Sequence, residues 1–179
     1  MLEIEYGNIV DDKFIKFADA IVNPCNPKMR MGSGVSGNIF LRAGVDELEE
    51  YCEKTYDVGY KDEQQKNDMK VNEIRVTPGF NLKCDIIFAQ SPRLNDYKCF
   101  DDAYPLLLKT YEEILIIIKE RGYKNVLIPS LGTGHYGFKH EDVCKDVSLL
   151  LKEFCEDNDV NIKLVLPTCF EAKLYIEAF

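Results

Sequence analysis

The sequence predicts an α/β domain whose central sheet is mostly parallel and covered by helices on both faces. Short apolar runs of strand length alternate along the chain with longer segments of helical periodicity, and that alternation implies crossover connections. Two glycine-rich stretches each stand between a strand and a helix, where open α/β sheets bind ligands. The 179 residues contain no linker or repeat, so residues 1–179 read as a single domain. A core of this size buries roughly 70% of the unfolded surface and needs neither disulfide nor metal.

Each element has a local reason. Leu2, Ile4 and Tyr6 alternate with glutamates, which predicts a strand with one buried face. Residues 20–23 form a second, more buried strand stopped by Pro24. Residues 36–51 carry helical spacing through Ile39, Leu41, Ala43 and Leu48, with a break at Gly44. Residues 57–70 hold only Val58, Tyr60 and Met69 as sizeable apolar side chains and read as an exposed excursion. Ile74 and Val76 lead a strand into the Thr77-Pro78-Gly79 turn, and residues 84–90 form a buried strand. Phe100–Arg121 is the clearest helix, with Leu107, Tyr111, Ile114, Leu115 and Ile118 on one face and Gly122 as its stop. Asp101 and Asp102 suit its positive end, and Pro105 moves the expected start towards Asp102. A strand at 126–129, a helix at 139–158, a strand at 162–166 and a helix at 170–179 close the chain.

Composition removes several classes of function. Acidic residues outnumber basic ones 31 to 22, giving a net charge of −9, and such a field repels nucleic acid and anionic lipid. No apolar run approaches the roughly 18 residues of a membrane span, and the N-terminus lacks the pattern of a secretory signal. Seven cysteines, odd in number and without C-x-x-C spacing, read as reduced core residues of a cytoplasmic chain. With two histidines they form no zinc pattern, so neither metal nor cofactor is expected.

Gly32-Ser33-Gly34-Val35-Ser36-Gly37 and Gly132-Thr133-Gly134-His135-Tyr136-Gly137 both match G-x-G-x-x-G. Glycines permit positive φ and let backbone N–H groups approach an anion, which a helix N-terminus also attracts. Two such loops predict one ligand with two phosphates, gripped by neutral amides, so the negative net charge is no obstacle. A dinucleotide fold is not indicated: residues 24–31 separate the first loop from its strand, and Asp57, 20 residues beyond Gly37, opens a polar stretch. No G-x-x-x-x-G-K-[ST] occurs either.

These residues resemble the macro domains, a family that binds ADP-ribose. Val22-Asn23-Pro24-Cys25-Asn26 is similar to its V-N-A-A-N segment, and residues 31–39 resemble its loop G-G-G-V-x-x-A-I. Residues 73–82 and 86–92 look like the family's next two strands, and residues 128–138 like its second loop, P-x-x-S-x-G-x-Y-G. Gly7-Asn8-Ile9 stands where the family has Gly-Asp-Ile. The matches run in family order from about residue 7 to 166. The resemblance implies a three-layer α/β/α sandwich with the cleft at the carboxyl ends of the central strands. It implies that residues 132–138 wrap the diphosphate, with Tyr136 and Phe138 on the ribose side. Gly32, Ser33, Gly34, Val35 and Ser36 would meet the distal ribose with Asn23 and Asn26 nearby, and Asn8 and Ile9 the adenine, with the Asn8 amide oxygen accepting from the adenine amine in place of the family's acid. Asn26 is the candidate catalytic residue.

Two departures bear on activity. Family members that remove ADP-ribose often carry an aspartate, and a histidine four residues on, where this chain has Ser36 and Phe40. The aromatic expected to stack on adenine has no clear match, although Phe170 stands nearby. The expected partner is ADP-ribose or an ADP-ribosylated substrate, and the sequence does not fix an oligomeric state. Three readings follow: a slow hydrolase of ester-linked ADP-ribose, a binding module without turnover, and a dinucleotide-dependent enzyme. The absence of a partner domain favours the first. His135, Cys25 and the two asparagines also have structural readings, as an exposed loop residue, an inert thiol and turn caps.

Overall fold

Alternation along each central strand explains why helices cover the sheet twice. The computed structural model of the chain describes residues 1–58 and 67–178. Its strands are β1 (Leu2–Tyr6), β2 (Ala20–Pro24), β3 (Ile74–Thr77), β4 (Asp85–Ala89), β5 (Asn125–Pro129) and β6 (Asn161–Leu166). They form one six-stranded sheet in the order β1-β6-β5-β2-β4-β3. Only the β3–β4 pair is antiparallel; the other four pairs are parallel.

Successive side chains of a strand point to opposite faces. Ala20, Val22, Ile87, Ala89, Val126, Ile128, Ile162 and Leu164 share one face, and Ile21, Ile86, Phe88, Leu127 and Val165 the other. The first face is covered by α4 (Phe100–Arg121), α5 (His140–Asn158) and α6 (Cys169–Glu177), through Leu107, Tyr111, Ile114, Val143, Val147, Leu151 and Tyr175. The second is covered by α1 (Asp12–Ile15), α2 (Gly34–Ala43) and α3 (Val45–Tyr56), through Phe14, Ile15, Ile39, Phe40, Leu48 and Cys52. This is a three-layer α/β/α sandwich with a mixed, mostly parallel sheet.

The structure also corrects particular expectations. The helical stretch breaks at Gly44, at φ +106, but it starts at Gly34 and runs to Tyr56. Helix α4 begins at Phe100 despite Pro105, which at this depth deprives only the exposed first turn of a bond. Val58 and Met69 are 2% and 3% exposed and join the core, so the flanks of the polar excursion are anchored. Residues 59–66, and with them Tyr60, lie outside the described residues, as does Phe179. Five cysteines are buried as expected, whereas Cys99 and Cys169 are exposed at the starts of α4 and α6. Helix α1, a single turn, was too short to carry a periodic signal. Among the described residues no helix is long and apolar enough to cross a membrane.

Candidate functional site

Strands β2 and β5 are neighbours, and both end at the same edge of the sheet, where a cleft of about 640 Å³ opens. That volume lies in the ordinary range for small-molecule sites. At the β6 and β1 end it is walled by Val165, Pro167, Glu171, His140, Asn8 and Ile9. At the β2 end it is walled by Pro24, Cys25, Asn26 and Ser91.

The chain leaving β2 first makes a tight loop organised by Asn26. Its Oδ1 accepts from the N–H groups of Lys28 at 3.1 Å and Arg30 at 3.3 Å, while Nδ2 donates to the Arg30 carbonyl at 2.8 Å. One N–H of that amide is left for a ligand. Arg30 and the Met31 N–H both reach Glu49, which ties the loop to α3. Gly32 then passes close under α2. A Cβ on Gly37 would stand 2.7 Å from the Gly32 carbonyl oxygen, so only glycine allows this approach. A Cβ on Gly32 would stand 3.6 Å from Ser36 Oγ and 3.9 Å from Asn26 Nδ2, so these groups converge. Ser36 Oγ is buried and has no hydrogen-bond partner among the described residues.

Ser33 holds the N-cap position of α2 in extended conformation, yet its hydroxyl caps nothing. A capping serine is typically worth about 1 kcal/mol. Here Oγ instead lies 2.8 Å from His135 Nε2, in the other glycine-rich loop. The first-turn N–H groups of Gly34, Val35 and Ser36 therefore keep no cap, and such groups carry the positive end of the helix dipole.

The second loop is folded by its glycines and by what lies beneath. Gly132, at φ +75, leaves room for the Phe138 ring, which a Cβ would approach to 2.9 Å. The Phe138 N–H returns to the Gly132 carbonyl and the Gly137 N–H to that of Gly134. The N–H groups of Gly134, His135 and Tyr136 find no acceptor among the described residues. Tyr136 is half-buried; its hydroxyl donates to the Cys25 carbonyl and accepts from Gln90 Nε2. Burial holds its pKa above the usual phenol value.

Of the residues expected at the site, Asn8, Ile9, Asn26, Gly32, Ser33, Gly34, Val35, Ser36, Gly132, Thr133, Gly134, His135 and Tyr136 line the cleft. Three do not. Phe138 is 2% exposed and packs in the core against Phe100, because the loop folds over it. Gly137 supplies the turn behind the lining, at φ +87. Asn23 is wholly buried in β2, with neither amide atom partnered among the described residues. Phe170 is 68% exposed and outside the lining, and Phe40 packs edge-on against Phe88 in the core. Asn8 Oδ1 already accepts from the Val10 N–H and Asn38 Nδ2, so its disengaged group is a donor rather than the acceptor expected for adenine. The Cys25 thiol faces Met69 Sδ, and burial raises its pKa far above the ordinary thiol value, which makes it inert.

Sequence reasoning missed Asn38, Ser91, Ser130, His140 and Glu171. One signal was visible: Thr168-x-x-Glu171 is a capping box, and both of its reciprocal bonds form. Glu171, the sole carboxylate among the described lining residues, also lies 3.3 Å from His140 Nε2. His140 Nδ1 meets the Tyr175 hydroxyl, which bonds Ser130, which in turn bonds Thr133. Burial lowers the His140 pKa, and Glu171 and Glu141 oppose that shift. Among the described residues no three His, Cys, Asp or Glu side chains are grouped to hold a metal ion.

The Macro domain family model matches residues 22–146. A protein named O-acetyl-ADP-ribose deacetylase 1, from Pantoea vagans, is 30% identical over 161 residues, covering 88% of this chain and 86% of its own. An uncharacterized protein of Thermoplasma acidophilum is 31% identical over 179 residues, covering 98% and 85%. Among solved structures, a mutant of the Oceanobacillus iheyensis macrodomain with ADPR superposes with a TM-score of 0.84 at 27% identity, covering 99% of this chain and 90% of that one. The same macrodomain with ADP gives 0.83 at 26%, covering 99% and 88%.

Proposed function

The chain belongs to the macro domain family, and on that premise we propose that it binds ADP-ribose along the cleft and slowly hydrolyses ester-linked ADP-ribose, from mono-ADP-ribosylated protein or from O-acetyl-ADP-ribose. One observation carries the reading: two glycine-rich loops, leading to helices on opposite faces of the sheet, converge on a single cleft. The amides of residues 134–136 and the first turn of α2 hold the diphosphate from two sides. Asn26 positions the distal ribose with its remaining N–H, and Ser36 Oγ offers a hydroxyl partner beside it.

In hydrolysis a water oxygen bonds to the acyl carbon and the bond from that carbon to the ribose oxygen breaks; the oxygen stays on ribose and takes a proton, which yields ADP-ribose and a carboxylic acid. Among the described residues the only carboxylate lining the cleft is Glu171, at its β6 end, and Glu49 at the first loop is engaged by Arg30 and the Met31 N–H outside the lining, so neither is placed beside Asn26 to take the proton from that water. Positioned acid–base help is worth about 10²–10⁴-fold, so turnover rests on positioning and on the substrate's own phosphate as proton acceptor. The same observation favours a second reading, a binding module without turnover.

Titration calorimetry with ADP-ribose, ADP and AMP, followed by incubation with O-acetyl-ADP-ribose and with protein ADP-ribosylated on aspartate or glutamate, tests both. ADP-ribose binds more tightly than AMP if both loops grip phosphate. Equal affinities count against that arrangement, and tight binding without product gives the second reading.

A further inference from the structure

We propose that Ser33 and His135 form a strap over the middle of the cleft, and that it selects ligands bulky at both ends of a slim diphosphate. The inference rests on the functional reading above. The geometry is specific to this pair: the two residues are 102 positions apart, belong to different loops, and meet at 2.8 Å. Helix α2, which follows Ser33, packs on one face of the sheet, and α5, which follows His135, on the other. A bond between them therefore joins the outer layers across the edge where the strands end. It crosses between β5 and β2, with Asn8, Val165, Pro167 and Glu171 on one side and Pro24, Cys25, Asn26 and Ser91 on the other. The cleft becomes two chambers joined by a channel beneath the strap.

Ser33 reaches this partner in place of the helix cap that its position ordinarily provides. Forgoing a local bond for a distant one marks a constraint other than helix stability. The consequence is kinetic. A ligand with adenosine in one chamber and ribose in the other cannot slide out along the channel, so its release waits for the strap to open. ADP has a bulky group at one end only and leaves along the channel without that step.

Dissociation rates of ADP-ribose and ADP, measured by stopped-flow for the wild type, Ser33→Ala, His135→Ala and the double variant, test this, with thermal unfolding as the check on folding. Both side chains are exposed, so the variants retain the fold. The loss of one hydrogen bond is expected to speed ADP-ribose release by about three- to tenfold in either single variant. ADP release changes less than about twofold, and the double variant is no faster than the singles, because all three lose the same bond. Equal acceleration for both nucleotides makes Ser33 an ordinary contact and overturns the strap, as does no acceleration at all. A wild type that retains neither nucleotide overturns the functional reading, and the inference with it.

Discussion

Gly134→Glu separates binding from folding at the second loop. Gly134 is exposed, its φ lies outside the left-handed region, and a Cβ built on it meets nothing within 4 Å. The glutamate therefore costs the fold little while placing a carboxylate beside the amides assigned to the diphosphate. Two unit charges about 5 Å apart repel by roughly 1 kcal/mol in bulk water and roughly 3 kcal/mol at an effective dielectric of 20. Opposite two phosphate charges in an exposed loop, the expected loss is about 2–4 kcal/mol, or roughly 30- to 700-fold in affinity. Calorimetry with ADP-ribose reads the loss, and the unfolding temperature checks that the variant is folded. Gly134→Gln, nearly the same size without the charge, retains much of the binding, and added salt narrows the gap between the two. Gly132→Ala behaves in the opposite way: at φ +75, with Phe138 at 2.9 Å and Leu107 at 3.2 Å from its Cβ, it lowers the unfolding temperature. A folded Gly134→Glu variant with wild-type affinity refutes the placing of the diphosphate, and equal losses for Glu and Gln refute the electrostatic argument.

Asn26→Ala lowers the rate of ester hydrolysis more than Ser36→Ala does, and it also lowers the unfolding temperature, because the N–H groups of Lys28 and Arg30 lose their acceptor. Asn26→Asp keeps that acceptor and loses the donor, so steady-state rates beside melting curves divide the two roles; a dead Ser36→Ala variant contradicts the assignment. The lowered pKa of His140 makes the folded chain bind its proton less readily than the unfolded chain, whose histidine titrates near 6.5. Its contribution to stability is therefore complete above about pH 6.5 and declines as the pH falls through that value towards the folded pKa. Melting curves of the wild type and His140→Gln show it as a gap that changes across this window; a gap constant with pH removes the claim. ADP-ribose affinity is expected to change little between low and moderate salt if, as proposed, neutral amides hold the phosphates, and a steep decline in calorimetry points to lysine or arginine contacts instead.

Much of this architecture was legible because it is written in local periodicity. The helix Phe100–Arg121 and the buried runs of β2, β4 and β5 depend on neighbours a few residues away, and so do the glycine-rich turns. What escaped the sequence depends on how distant segments meet. Phe138 follows the Tyr136-Gly137 pair and reads as cleft wall, yet the turn at Gly132 folds over it and sends it into the core. Val58 and Met69 border a polar stretch, and only their packing beside Cys25 and Cys52 shows them as core. Glu171 and His140 reach the cleft because the tops of α5 and α6 lie beside its edge, a matter of helix placement. The Ser33–His135 contact had no trace in sequence.

The close approach of Gly37 to the Gly32 carbonyl has a consequence for how such a site is inherited. The groups presented to the cleft by both loops are largely peptide N–H groups, which every residue except proline carries. Their positions are encoded by backbone shape, and side chains around the rim are free to drift without erasing them. The burden of preservation falls instead on the few positions where one added methyl displaces the chain. At Gly37 that methyl would sit 2.7 Å from a carbonyl oxygen. A saturation-mutagenesis map of the loops would accordingly be sharply uneven, with broad tolerance at Gly134 for small neutral residues and almost none at Gly37. Sequence identity can then fall to 27% while the fold is kept, as it is between this chain and the Oceanobacillus iheyensis macrodomain, at a TM-score of 0.84.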